Sequence, residues 1–92
     1  MSLLNTEEIE KKLQSFKNWY ISDKFIKKKF NFNSYMDSIR FLNQIATKAE
    51  ESNHHPDMII GYCKIEISFT SHDKGGVTSD CIHMAKFVES IL

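Results

Sequence analysis

The sequence predicts an α+β fold, a four-stranded antiparallel sheet with three helices packed on one face, in the order α-β-β-α-β-β-α. Two segments, residues 25–32 and 64–70, alternate between apolar and polar side chains as half-buried strands do. Residues 34–50, which lie between them, carry apolar side chains at helical intervals. The strands are short and joined locally, which favours antiparallel pairing.

Length and composition predict one domain spanning residues 1–92. Twelve basic residues balance twelve acidic ones, so no net field attracts nucleic acid or an anionic membrane, and we expect neither as a direct partner. No apolar run is long enough to cross a membrane. Cys63 and Cys81 have neither metal-type spacing nor the density of a disulfide scaffold, so the expected location is the reducing cytoplasm.

The first third reads as helix, strand, turn and strand. Asn5 or Thr6 can cap the first helix, and Asn5 with Glu8 has the spacing of a capping box. Residues 19–21 are aromatic and β-branched, as strands prefer, and residues 22–24 form a turn. In the next strand, Lys28 is the exception to an otherwise regular separation of wet and dry faces.

The middle of the chain is a long helix. Ser34 with Asp37 fits the spacing of an N-terminal capping box, and Asn33 is an alternative cap. The expected apolar stripe, widened by Phe41 and Ile45, consists of Tyr35, Ile39, Leu42, Ala46 and Ala49. A stripe that wide packs on a sheet or in a helical interface.

The helix ends at a pair of histidines. Pro56 disfavours helical backbone at His55, so the helix is expected to end within residues 50–57. His72 follows one strand later, which places three imidazoles within 19 residues. Because histidine exchanges protons near neutral pH, this grouping predicts acid–base chemistry. Two alternatives are a plain polar helix end with a turn and a three-histidine zinc site, although no carboxylate or cysteine stands at a convincing ligand interval.

The last third begins with a turn at residues 73–76, whose two glycines can adopt positive φ. Thr78 is the expected N-cap of the final helix, which carries apolar residues at helical spacing to the end of the chain.

An ordered set of residues resembles the pterin-4a-carbinolamine dehydratases. The set is Glu50, His54-His55-Pro56, Tyr62, Ser71-His72-Asp73, Gly75-Gly76 and Thr78, within a frame that includes Trp19 and Phe30-Asn31-Phe32. The resemblance covers about residues 19–92.

The resemblance implies dehydration of 4a-hydroxytetrahydropterin to quinonoid dihydropterin, as in tetrahydrobiopterin recycling, with no metal or organic cofactor. It implies that His54, His55 and His72 are catalytic, without indicating which is acid and which is base. Asn53 and the segment Thr70, Ser71, His72 and Asp73 would line the pterin site, and Glu50 would orient an imidazole.

One residue departs from the family pattern. Where the family carries an aspartate in the first turn of the last helix, this chain has Cys81, which becomes the corresponding candidate for substrate binding. An aspartate there would complete a capping box with Thr78 and is expected to add stability and ligand contacts. The opposite expectation follows if Cys81 is a buried, small apolar residue.

The resemblance also carries a competing function. Members of the family act as dimerisation or coactivator partners, so the same fold could serve as a protein-binding module without catalysis. A homodimer or homotetramer is expected, in agreement with the wide apolar stripe on the long helix.

Overall fold

A computed structural model describes residues 2–92. Its elements are α1 (Thr6–Leu13), β1 (Tyr20–Ser22), β2 (Phe25–Asn31), α2 (Tyr35–Ser52), β3 (Asp57–Gly61), β4 (Lys64–Phe69) and α3 (Ser79–Ser90). The strands form one antiparallel sheet in the order β1-β2-β4-β3. The predicted fold class is therefore confirmed.

The core lies on one face of the two central strands. Ile26 pairs with Phe69 and Phe30 with Ile65 across β2 and β4, and these side chains are buried. Residues directly opposite in an antiparallel pair point to the same face. The helices cover that face, with α3 contributing several of the buried side chains, among them Ile82, Met84 and Val88.

Lys28 is buried on the apolar face because it has a partner there. Its Nζ lies 2.7 Å from Oε2 of Glu89 in α3, and the indole Nε1 of Trp19 donates to the same oxygen at 3.1 Å. A buried ammonium needs such a charge partner to offset the loss of hydration. This contact explains the one exception to the predicted strand alternation.

All three helices begin after a predicted N-cap residue, and two of these residues cap the helix with their side chains. Asn5 and Glu8 form the predicted capping box of α1, and Ser34 Oγ accepts from the Asp37 amide at the start of α2. Thr78 is the N-cap residue of α3, but its side chain makes no capping hydrogen bond.

The buried face of α2 differs from the predicted stripe. Ser38, Phe41, Ile45 and Ala49 are buried, whereas Leu42 is partly buried and Tyr35 and Ala46 are exposed. Phe41 decides the orientation, because its ring packs 5.1 Å from that of Phe30 and 4.9 Å from that of Phe32. The two overlapping apolar faces of this helix could not be told apart by spacing.

Candidate active site

The end of α2 directs the histidine pair out of the helix. Asn53 has left-handed backbone, with φ 49° and ψ 44°, and the His54 amide returns to the Ala49 carbonyl at 3.1 Å. Asparagine is among the few residues other than glycine that tolerate this conformation at a helix end. The chain therefore turns sharply before Pro56 and enters β3, as the predicted helix end within residues 50–57 requires.

The three imidazoles line one cavity. Its volume is about 320 Å³, and it lies between the end of α2, the start of β3 and the turn after β4. Its lining is Asn53, His54, His55, Pro56, Asp57, Thr70, Ser71, His72 and Asp73. Seven of the nine residues predicted for the site are among these; the other two, Glu50 and Cys81, each contact one of the histidines.

His54 is the most enclosed of the three. Its ring stacks on Phe69 at 6.3 Å, and its Nε2 lies 3.3 Å from Sγ of Cys81. Burial lowers the pKa of His54 below its ordinary value, because the charged ring loses hydration. Among the nearby charges, Asp80 and Asp73 oppose this shift. His54 is therefore favoured as a neutral imidazole near pH 7.

His55 lies in water beside a carboxylate. Its Nε2 contacts Oε2 of Glu50, five residues earlier in the chain, and both side chains are exposed. Such an exposed pair adds little stability. The carboxylate partner does orient the ring, because it accepts a hydrogen bond from Nε2 when that nitrogen carries the proton. The predicted orienting contact of Glu50 thus falls on His55.

His72 is exposed at the mouth of the cavity. Its Nε2 lies 3.8 Å from Oδ2 of Asp57, and its ring meets the ring of Phe25 edge to face at 6.3 Å. Asp57 was not predicted from the sequence. Knowledge of the register between β3 and β4 would have identified it, because this register sets Asp57 opposite Ser68, near the end of the strand that leads to His72.

The turn that carries His72 and Asp73 is held by backbone hydrogen bonds. The Ser71 amide donates to the Gly76 carbonyl at 2.8 Å, and the Gly75 amide donates to the Ser71 carbonyl at 2.8 Å. Gly75 has φ 76°, which the turn requires and which glycine adopts without strain. The Thr70 hydroxyl donates to the Lys24 carbonyl at 2.6 Å and ties the strand end to the β1–β2 turn.

Cys81 lies behind His54. It is fully buried in the first turn of α3, and its thiol contacts the ring of His54. Because Cys81 does not line the cavity, its thiol could influence a ligand there only through the His54 ring. An aspartate at this position would be desolvated, so its expected effect on stability is a loss.

A second cavity, of about 420 Å³, lies between α2 and α3 and also borders His54. Lys48, Asp80 and the exposed fourth histidine, His83, line it. His55 and His72 border the first cavity, so that cavity is where imidazoles can act together on one molecule.

Metal-binding and membrane-spanning features are both missing from residues 2–92. No group of three or more His, Cys, Asp or Glu side chains in that range could hold a metal ion. None of the helices there combines the length and apolar character needed to cross a membrane.

Comparisons with known proteins agree on one family. The family model described as "Pterin 4 alpha carbinolamine dehydratase" matches residues 2–91. Relatives named "Putative pterin-4-alpha-carbinolamine dehydratase" include one from Sulfurisphaera tokodaii, 35% identical over 100% of this chain and 99% of its own length. Another, from Prochlorococcus marinus, is 32% identical over 100% of this chain and 97% of its own length.

Two solved structures share the fold. The crystal structure of a protein named transcriptional coactivator/pterin dehydratase, from Brucella melitensis, has a TM-score of 0.93 and 27% identity, with 98% of each chain covered. A pterin dehydratase-like protein described as a RuBisCO assembly factor in the alpha-carboxysome has a TM-score of 0.69 and 22% identity, covering 83% of this chain and 90% of its own.

Proposed function

The chain belongs to the pterin-4a-carbinolamine dehydratase family, and we propose that it converts 4a-hydroxytetrahydropterin to quinonoid dihydropterin and water. The observation that carries the proposal is the convergence of His54, His55 and His72 on one cavity. The reaction needs a proton donor at the hydroxyl group on C4a and a proton acceptor at N5. It needs no resident metal or organic cofactor.

The chemistry of the elimination matches these side chains. The C4a–O bond breaks as an acid protonates the departing hydroxyl. A base removes the N5 proton, and the electron pair of the N5–H bond forms the C4a=N5 double bond. His55 is suited to receive a proton, because a Glu50 carboxylate that accepts from Nε2 leaves Nδ1 of the neutral ring unprotonated. A neutral imidazole such as His54 can donate a hydrogen bond from whichever ring nitrogen carries the proton.

The proposal is tested by assaying dehydration with the purified protein and with His54→Ala, His55→Ala and His72→Ala. Each loss of an acid or base is expected to lower kcat by about 10²–10⁴-fold. His83→Ala is the matched control, since His83 is a histidine outside the cavity, and its rate should equal that of the parent. A parent protein no faster than buffer would refute the catalytic proposal.

A second candidate function is protein binding without catalysis. Large apolar side chains are exposed on and near β3, at Ile59, Ile60 and Tyr62, and at the start of α2, at Tyr35 and Met36. Exposed apolar groups of this kind are typical of interaction surfaces. The Brucella protein of the same fold, whose name includes transcriptional coactivator, gives this function a precedent. The dehydration assay separates the two functions.

We also propose that the protein is a homodimer or homotetramer in the cytoplasm. β3 is an edge strand, so one row of its backbone groups is available to pair with another strand. Ile59 on this strand has 69% of its surface exposed, which is unfavourable for an edge that stays in water. The two free cysteines suit a reducing compartment.

A further inference from the structure

A row of buried polar groups ends on the ring of His54. Oγ1 of Thr78 lies 2.7 Å from Oγ of Ser71, which lies 3.7 Å from Sγ of Cys81, which lies 3.3 Å from Nε2 of His54. Thr78 and Cys81 have no exposed surface, and Ser71 has 5%. Water therefore does not reach Thr78 and Cys81, and the hydrogen atoms of these two side chains must find acceptors within the row.

The direction of the row follows from counting hydrogen atoms. Each of the three side chains Thr78, Ser71 and Cys81 carries one O–H or S–H hydrogen. If Thr78 donates to Ser71, Ser71 to Cys81 and Cys81 to Nε2 of His54, every one of them is used. In the reverse direction the Thr78 hydrogen is left over. Among residues 2–92 that hydroxyl pairs with Ser71, and it makes no capping bond to α3.

The two directions differ in free energy. A buried hydroxyl hydrogen without an acceptor carries the desolvation penalty of an unsatisfied donor, and only the reverse direction leaves such a hydrogen. The forward direction is therefore preferred.

On the basis of the proposed dehydration, we infer that Thr78, Ser71 and Cys81 are positioning residues that hold His54 in the tautomer protonated at Nδ1. Nε2 is then occupied by the thiol hydrogen. The Nδ1–H group remains for a molecule in the cavity, so His54 acts as a hydrogen-bond donor to the departing hydroxyl. The proton taken from N5 goes to another imidazole, which returns it to the departing hydroxyl, so that the oxygen leaves as water.

The charged groups around His54 are compatible with this arrangement. Asp80 in α3 and Asp73 in the turn after β4 act on it electrostatically from two sides, as do His55 and His72 across the cavity. Neither aspartate forms a hydrogen bond with the His54 ring, whose polar side-chain contact is the Cys81 thiol. The thiol is thus the group placed to select the tautomer.

The direct test is long-range ¹H–¹⁵N NMR of the imidazoles in the full chain, without ligand. We expect His54 to show a protonated Nδ1 and an unprotonated Nε2 at pH above its titration. A wild-type His54 protonated at Nε2 would overturn the inference. This measurement needs no variant, so it does not depend on whether a substitution folds.

Substitutions at Cys81 supply the second arm. Cys81→Ser keeps a donor and should preserve the tautomer. Cys81→Asp replaces the donor with an acceptor and should switch His54 to the Nε2–H form. Cys63→Ser is the matched control, because it removes the other thiol, in the β3–β4 turn, and should leave the tautomer unchanged. An unchanged tautomer in Cys81→Asp would also overturn the inference.

The two proposals fail separately. An Nδ1–H tautomer in a protein without dehydratase activity would refute the proposed function and leave the positioning of His54 intact. An active protein with an Nε2–H tautomer would refute the positioning alone.

Discussion

His54 differs from the other two imidazoles of the cavity in its access to water, and this difference makes stability depend on pH. The folded protein holds the pKa of His54 below 6.5, chiefly through burial, whereas the unfolded chain titrates near 6.5. In the interval between these values the unfolded chain binds a proton that the folded chain does not. The stabilising contribution is therefore full above 6.5 and is lost as the pH falls through the folded pKa.

We predict that the free energy of unfolding of the parent protein decreases as the pH is lowered below 6.5, and that His54→Gln decreases less steeply. Urea unfolding at a series of pH values measures both slopes. His83→Gln is the control, because His83 is exposed on α3 and should leave the slope of the parent unchanged. Equal slopes for His54→Gln and the parent would show that His54 is not the group responsible.

The grouping of the candidate histidines was predictable where the chain itself places them together. His54 and His55 are adjacent, and His72 follows one strand later, so sequence order and the resemblance to the family sufficed. Asp57 was not predictable in this way, because it meets His72 only through the register of β3 with β4. The contact of Cys81 with His54 depends on how α3 packs against the end of α2, which no local pattern encodes.

At the scale of the elements, α2 offers a direct measurement of which face is buried. We predict that Ile45→Ala lowers the free energy of unfolding by about 2–5 kcal/mol, because Ile45 is fully buried in the core. Leu42→Ala on the same helix should cost at least about 1 kcal/mol less, since Leu42 remains partly in water. Chemical denaturation of the two variants provides the comparison.

The pair acts as its own control, because both substitutions shorten a four-carbon side chain on the same helix to the methyl group of alanine. A larger loss for Leu42→Ala would mean that α2 presents the other face to the sheet.

The strands were more predictable than this helix. Alternation with a period of two assigns each residue to a face, and even its exception at Lys28 is explained by the contact with Glu89.

For the whole molecule, the exposed edge of the sheet predicts self-association. We expect the purified protein to be a dimer or tetramer by light scattering coupled to size exclusion, and Ile59→Lys to shift it towards monomer. A lysine on an edge strand opposes pairing with another strand through its charge. Leu92→Lys is the control, because Leu92 is also an exposed apolar residue, with 63% exposure, but lies at the end of the chain.

A monomeric parent protein, or an Ile59→Lys variant of unchanged mass, would contradict the assignment of β3 to the interface. The pairings of β1 with β2 and of β3 with β4 were predictable from the short connections between these strands, whereas the pairing of β2 with β4 was not. Contacts between copies are not encoded in such local patterns, so the sequence indicated the association only through the family resemblance and an apolar stripe on α2.

The position of Trp19 makes the protein its own optical probe. It is the one tryptophan in the chain, and its ring stacks on the ring of Phe69, with 6.3 Å between the ring centroids. The ring of His54 also stacks on Phe69, at the same centroid distance. Its indole nitrogen also reports on the Glu89 carboxylate that neutralises Lys28. The fluorescence of a single indole therefore samples both the internal ion pair and the back of the cavity, and a bound chromophore would be registered as quenching without any attached label.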